Sequence, residues 1–226
     1  MKKIFVNLIL VIVFFIFSLI ILLATVGIKT DKFNKLISDN VNQSKNINLD
    51  LNAIQFKLDP KKLNLFLETK NPKINYRGEL VPVQNVQVFV DFLSLFKSNL
   101  KIKKTNLIME DLDIKQLKNL SRVLKPSNLK NFLNNKVKEG KLTSEIEIFL
   151  DNKSEINNYI VKGKFKNLKA ELLNGLELSK TNFTFIGDKS DILIKKIEGN
   201  IDSIKISDGD IKLNFENGAK VSSNFN

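Results

Sequence analysis

Two hydrophobic periodicities divide the chain. From Ile4 to Ile28 apolar residues follow one another with only Asn7, Ser18, Thr25 and Gly27 between them and no charge. At about 1.5 Å per residue, a helix over this stretch exceeds the roughly 30 Å hydrocarbon core of a bilayer. The run is longer than the roughly 7–15 apolar residues of a signal peptide, and "LLATVGIKT" is a poor cleavage site. An uncleaved, single-pass anchor is expected over residues 1–30. Lys2, Lys3 and the amino terminus outweigh the sparser Lys29, Lys32 and Lys35, which puts the N-terminus inside and the body outside the cytoplasm.

From Ile47 onward the pattern changes to strict alternation. "INLDLNAIQFKL", "LNLFLETK", "KINYRGEL" and "LKIKKTNLIMEDL" read as strands with one apolar and one wet face. In "VQNVQVFVDFLSLFKSNLKIKKTNL", Val86, Val88 and Val90 alternate with Gln87, Phe89 and Asp91. After an aromatic corner, Leu100 and Ile102 alternate with Lys101 and Lys103. Farther on, Ile146, Ile148 and Leu150 share a face, as do Val161 and Phe165, and Ile211, Leu213 and Phe215. Asn174-Gly175 and Asn217-Gly218 predict tight hairpins, and Gly187-Asp188 and Asp208-Gly209 softer turns.

Helical spacing appears in three short places. Phe33, Leu36, Ile37 and Val41 form one face over Asp31–Asn42, which makes residues 31–45 an amphipathic helix and linker. Asp113 with Gln116 forms a capping-box pattern before the stripe Ile114, Leu117, Leu120 and Leu124. Ser127 caps a further helix with the stripe Leu129, Phe132, Leu133 and Val137, expected to end at Gly140. The fold expected is mainly β: an N-terminal transmembrane helix, then a bent antiparallel sheet over residues 46–226, groove-like and interrupted by short amphipathic helices.

Composition narrows the chemistry. The 226 residues contain no Cys and no His, which removes thiolate nucleophiles, disulfides, the usual general base and the commonest metal ligand. No nucleotide loop is present, and "SDGDIKLNFEN" lacks the spacing of a calcium loop. No catalytic, metal or cofactor residues are nominated, and the chain is not expected to be an enzyme. The net charge of +12 comes from lysine; only Arg77 and Arg122 are arginines among 36 basic residues. Phosphates and base edges are read best by arginine, so no nucleic-acid partner is expected. The lysines lie beside many Asn and Ile residues, as in an AT-rich coding sequence. The basic helices between Ile114 and Lys138 read as a solvated face, with anionic head groups as the alternative.

The anchor, the short helix and "VQVFVDFLSLFKSNLKIKKTNLIMEDLDIKQL" resemble the AsmA-like proteins of Gram-negative bacteria. "NPKINYRGELVPV" before it and "LKPSNLKNFLNNKVKEGKL" after it are most similar to the YhdP-like branch, next to the TamB-like bridges. The resemblance covers nearly the whole chain through a diffuse strand pattern rather than a reactive motif. It implies an inner-membrane protein with its body in the periplasm, carrying phospholipid along an apolar β-groove towards the outer membrane. It also implies a protein longer than this chain, so "AKVSSNFN" is expected to leave an open strand edge.

On that basis Val86, Val88, Val90, Leu100, Ile102, Ile146, Ile148, Leu150, Ile211, Leu213 and Phe215 are the candidate lining of a lipid groove. Alternation by itself is equally consistent with a sealed sandwich core. The other class of function is a membrane-tethered scaffold or assembly factor for outer-membrane proteins, with an envelope protein pairing at the C-terminal sheet edge.

Overall fold

The computed structural model describes residues 2–31, 34, 38, 47–60, 64–90, 102–123, 125–151, 155–172, 175–216, 218 and 220–225. The chain opens with helix α1, Lys2–Thr25, of which Lys3–Thr25, with an 18-residue stretch of mean hydropathy 3.3, is long and apolar enough to cross a membrane. The helix ends abruptly. Val26 and Gly27 donate their backbone N–H groups to the Leu22 carbonyl at 3.0 and 2.8 Å. Gly27 has φ 74°, and any Cβ there would lie 2.9 Å from the Phe56 carbonyl oxygen. Glycine alone satisfies both the left-handed turn and this approach. Strand β1, Ile28–Thr30, starts at the next residue.

Among the described residues fifteen further strands follow. They are β2 (Ile47–Asp50), β3 (Ile54–Asp59), β4 (Asn64–Lys70), β5 (Lys73–Tyr76) and β6 (Glu79–Val81). Next come β7 (Val83–Val90), β8 (Ile102–Met109), β9 (Leu112–Asp113), β10 (Val137–Leu150) and β11 (Ile156–Glu171). The last are β12 (Glu177–Gly187), β13 (Asp191–Ile201), β14 (Ile204–Ile206), β15 (Gly209–Asn214) and β16 (Lys220–Phe225). Thirteen form one antiparallel sheet in the order β1-β3-β4-β7-β8-β10-β11-β12-β13-β15-β16, with β9 on β10 and β14 on β13. The sheet does not close: β1 and β16 are its two edges. The remaining strands form a small sheet, β2-β5-β6.

The alternating stretches are therefore divided differently from a simple meander. "INLDLNAIQFKL" supplies β2 to one sheet and β3 to the other. "KINYRGEL" folds back on itself as the β5–β6 hairpin, with Arg77 at φ 51° and Gly78 at φ 87°. Two adjacent positive-φ residues match the right-handed twist of the flanking strands.

Asn167 in β11, Lys180 in β12 and Lys196 in β13 have φ of 52°, 50° and 54°, and the pairing register slips beside each. These are bulges on three neighbouring strands, and bulges bend and twist the strands that carry them. Two of them are tied by side chains of the next strand. Asn167 N–H donates to Asn182 Oδ1 at 3.0 Å, and Lys196 N–H donates to Asp210 Oδ1 at 3.2 Å.

Two short helices lie between β9 and β10. In α2, Ile114–Arg122, the Asp113 carboxylate accepts from Gln116 N–H at 2.8 Å, and the Gln116 side chain accepts from Asp113 N–H at 2.9 Å, the reciprocal cap expected. In α3, Asn128–Asn135, Ser127 Oγ accepts from Lys130 N–H. The end of α3 differs from expectation. It stops at Asn135, and Val137 already belongs to β10. Gly140 lies within β10 at φ 145°, and a Cβ there would fall 2.3 Å from the Phe165 ring. Its role is to admit that ring, because the strand resumes before a helical stop is needed. Leu129, expected on the apolar stripe, is 75% exposed. The amphipathic helix expected over 31–45 and the aromatic corner over 91–101 lie outside the described residues, Asp31, Asn34 and Ser38 apart.

Candidate functional site

The pairing register sorts the side chains of the large sheet onto two unlike faces. Paired residues share a face, so one row can be followed across the sheet. It runs Thr30, Ile54, Thr69, Val86, Leu107, Ile146, Val161, Gly187, Ile192, Leu213, Val221. The next row begins at Ile28, three residues after α1, and continues Phe56, Leu67, Val88, Thr105, Ile148, Tyr159. The apolar face is thus continuous from the end of α1 across the sheet.

The opposite face is polar and knitted together. The Glu68 carboxylate takes hydrogen bonds from Lys57 Nζ at 2.5 Å, Asn85 Nδ2 at 2.7 Å and Gln87 Nε2 at 3.1 Å. Burial pushes the Glu68 carboxyl up, but the hydrogen bonds from Lys57, Asn85 and Gln87 outweigh it and hold the group below the ordinary carboxylate value. Asn106 Nδ2 donates to Glu145 Oε1 at 2.7 Å. Glu147 accepts from Lys104 at 3.1 Å and Lys162 at 2.7 Å. Phe66 and Phe89 pack with ring centroids 5.2 Å apart, and Lys104 Nζ sits 4.8 Å from the Phe89 centroid. Phe89 therefore lies with the polar residues, as its place in the alternation requires.

Three different coverings meet the apolar face. At one end of the strands α2 and α3 seal it, packing Leu117, Phe132 and Leu133 onto Ile114, Val137, Leu168 and Ala170. Beside this, Leu117 and Leu120 join Val83, Met109 and Leu112, with Ile146 packed against them. At β3, β4 and β7 the small sheet takes over as a roof. Beneath and beyond that roof lies a cavity of about 530 Å³. Its floor is Ile54, Leu67, Val86, Val88, Ile102 and Leu107, and Leu49, Leu51 and Ile74 form its upper wall. Ile148, Leu150 and Ile156 continue the lining on β10 and β11. A cavity of this size, apolar with few polar groups, lies within the range of small-ligand sites, roughly 300–1,000 Å³.

The sequence-derived lining divides accordingly. Val86, Val88, Ile102, Ile148 and Leu150 line the cavity. Val90 is buried beneath it with Ile54 and Leu67. Ile146 is on the same face but lies in the part covered by α2. Ile211 and Leu213 share the face several strands away, paired with Ile194 and Ile192. Phe215 follows the end of β15 and is exposed, and Leu100 is outside the described residues. Among the residues not anticipated, Ile54 and Leu67 carried a signal in their own alternation. Leu49 and Ile74 carried the same alternation, but nothing local tells a roof strand from a floor strand.

One polar atom in the cavity is unpartnered. Thr69, 5% exposed, points into the lining, and its hydroxyl has no hydrogen-bond partner among the described residues. A buried unsatisfied group costs about 1–3 kcal/mol. Thr69→Val keeps the shape and removes the hydroxyl. At roughly 2–4 °C per kcal/mol for a chain of this size, the thermal midpoint is expected to rise by about 2–12 °C. A fall in midpoint in a calorimetric scan would show that the hydroxyl is satisfied in the folded protein.

Comparison with protein-family models, with curated proteins and with solved structures finds no match to this chain, so the functional reading rests on the membrane-length helix, the two-faced sheet and the cavity.

Proposed function

We propose that this chain is a membrane-anchored carrier of lipid acyl chains, with the apolar face of the large sheet as the carrying surface. The observation that supports it is a cavity of about 530 Å³ on a face whose first strand starts three residues after a membrane-length helix. An acyl chain leaving the bilayer meets apolar side chains at once, beginning with Ile28 and Phe56. Burial contributes roughly 0.8 kcal/mol per CH₂, enough to hold a chain out of water. The reading agrees with the resemblance to AsmA-like, YhdP-like bridges, with phospholipid as the expected cargo, the inner membrane as the site of the anchor and the periplasm as the site of the body.

A photo-crosslinking side chain at Val88, in the cavity, is expected to capture lipid in membranes. The same group at Gln87, whose side chain bonds Glu68 on the opposite face, is expected to capture none. Equal labelling at both positions, or none at either, would count against the proposal.

A second reading draws on β16. All six of its residues are exposed, and among the described residues no strand pairs with its outer side. An open edge is a template for another chain. A specific protein cross-link at residues 219–226, without lipid at Val88, would favour a tethered scaffold for envelope proteins over a carrier.

A further inference from the structure

The two short helices carry a charge pattern that the carrier reading leaves unused. We infer that α2 and α3 form a docking cap for an anionic bilayer, a peripheral membrane contact at the end of the strands remote from α1. The inference does not depend on the cavity's holding lipid.

Between Ile114 and Lys138 the chain places seven Lys or Arg residues and no Asp or Glu. Two are neutralised from the sheet: Lys136 pairs with Glu171, and Lys138 pairs with Glu177 at 3.4 Å. Lys115, Lys118, Arg122 and Lys125 take no salt bridge among the described residues, and Lys115, Arg122 and Lys125 are exposed. The inner sides of both helices are occupied in sealing the sheet, through Leu117, Phe132 and Leu133. What remains outward is a cationic surface.

Tertiary packing adds to that surface. Arg77, at the tip of the β5–β6 hairpin, donates from Nη1 to the Val123 carbonyl at 3.3 Å, next to Arg122. The only two arginines of the chain are therefore brought to one end of α2. A guanidinium aims two N–H groups at a phosphate, where lysine acts as a point charge. Lys130 Nζ donates to the Arg122 carbonyl at 3.1 Å, and Ser121 Oγ donates to Asn134 Oδ1 at 3.2 Å, so α2 and α3 present their charges as one body. Leu129, in the first turn of α3 beside Lys130, is 75% exposed. Leu80 is 58% exposed on β6, the strand that lies against α2 through Val81, Leu117 and Leu120. Leucines beside cations suit a bilayer interface: the cations meet head-group phosphates and the leucines enter the acyl boundary beneath them. A nucleic-acid backbone offers the cations the same phosphates but leaves the leucines in water.

The strand register places this cap far from α1. Gly27, just past α1, lies against Phe56, whose row runs through Leu67, Val88 and Thr105 to Ile148 on β10. β10 begins at Val137, directly after α3. From Val137 to Ile148 the strand covers roughly 36 Å at about 3.3 Å per residue. Exposed charges are largely screened beyond about 8 Å at physiological salt. Head groups gathered around α1 are out of electrostatic range, so the partner assigned is a second bilayer apposed to that end.

The test is capture between two membranes. The full chain is held by α1 in neutral phosphatidylcholine nanodiscs and mixed with separate vesicles, either of phosphatidylcholine alone or of phosphatidylcholine and phosphatidylglycerol in equal parts. Anionic vesicles should carry the nanodiscs with them in flotation, neutral ones should not, and capture should weaken steeply as salt is raised. Each base is worth about fivefold, so the triple variant Lys115→Gln, Arg122→Gln, Lys125→Gln should bind on the order of 100-fold more weakly. Leu129→Gln should weaken capture about tenfold. The same number of charges removed from the exposed Lys164, Lys166 and Lys195, each changed to Gln, should cost less than about threefold. Equal loss in the two triple variants, equal capture of neutral and anionic vesicles, or tighter capture of a duplex oligonucleotide would overturn the cap. Phosphatidylglycerol placed in the nanodisc should leave capture of anionic vesicles intact; if it abolishes capture, the cap lies on the bilayer of α1 and the second-membrane assignment is overturned. Where the helix triple variant does not fold, Leu129→Gln, changed at a side chain already in solvent, decides: undiminished capture overturns the inference.

Discussion

Ile146→Asp and Ile148→Asp, two residues apart on one face of β10, are expected to behave in opposite ways. Ile146 packs with Leu117, Leu120 and Met109 in the part of the sheet sealed by α2. An aspartate there is an uncompensated charge in a partly buried apolar cluster, with a cost of up to about 3–5 kcal/mol. That is a large share of a typical total of about 5–15 kcal/mol, and the thermal midpoint should drop by up to roughly 6–20 °C. Ile148 lines the cavity beyond the roof, paired with Thr105 and the exposed Tyr159. Water reaches a carboxylate at that position, so abundance and melting should stay near normal. Acyl chains are repelled at the same point, and captured lipid should be strongly reduced. Thermal melts with analysis of bound lipid decide between outcomes. Collapse of both variants would make the face a sealed core throughout, and an Ile148→Asp protein with its full lipid content would remove the cavity from the path of the cargo.

Removing the carboxylate at the centre of the polar face is the second change with a large expected effect. The Glu68 side chain is 7% exposed and its partner Lys57 17%. Glu68→Ala leaves the Lys57 ammonium and the Asn85 and Gln87 amides without their acceptor. Loss of one member of a buried pair costs about 3–5 kcal/mol. The same interaction makes the fold acid-sensitive. Glu68 is held below its ordinary value against the opposing effect of burial, and so is Glu147, through Lys162 and Lys104. A depressed carboxyl contributes its full stability above the unfolded value of about 4.3 and loses it as pH falls through the lower, folded value. Urea midpoints should be flat from pH 7 to 5 and fall below pH 4. Glu68→Ala should start lower and depend less on pH over that acid range. Identical acid slopes for variant and wild type would mean that Glu68 is not ionised in a paired state.

Much of this architecture is legible in local sequence because its causes are local. A run of 25 residues without charge determines a membrane-length helix through hydration alone, wherever the rest of the chain lies. Alternation determines strands with an apolar face, and Asp113 with Gln116 determines a helix start, because each interaction lies within a few residues. What alternation leaves open is where each apolar face is sent. Val88 and Leu213 carry the same pattern, yet one lines a cavity and the other lies several strands away. Ile146 and Ile148 are indistinguishable neighbours, and α2 covers one of them. The split of "INLDLNAIQFKL" between two sheets, the Leu49 and Ile74 roof and the bulges at Asn167, Lys180 and Lys196 depend on partners far along the chain. Those partners are chosen by register and burial, which are properties of the assembled sheet. The sequence determined that there is a membrane-length helix and a sheet with one apolar side; only tertiary packing decided how much of that side is sealed and where a cavity stays open.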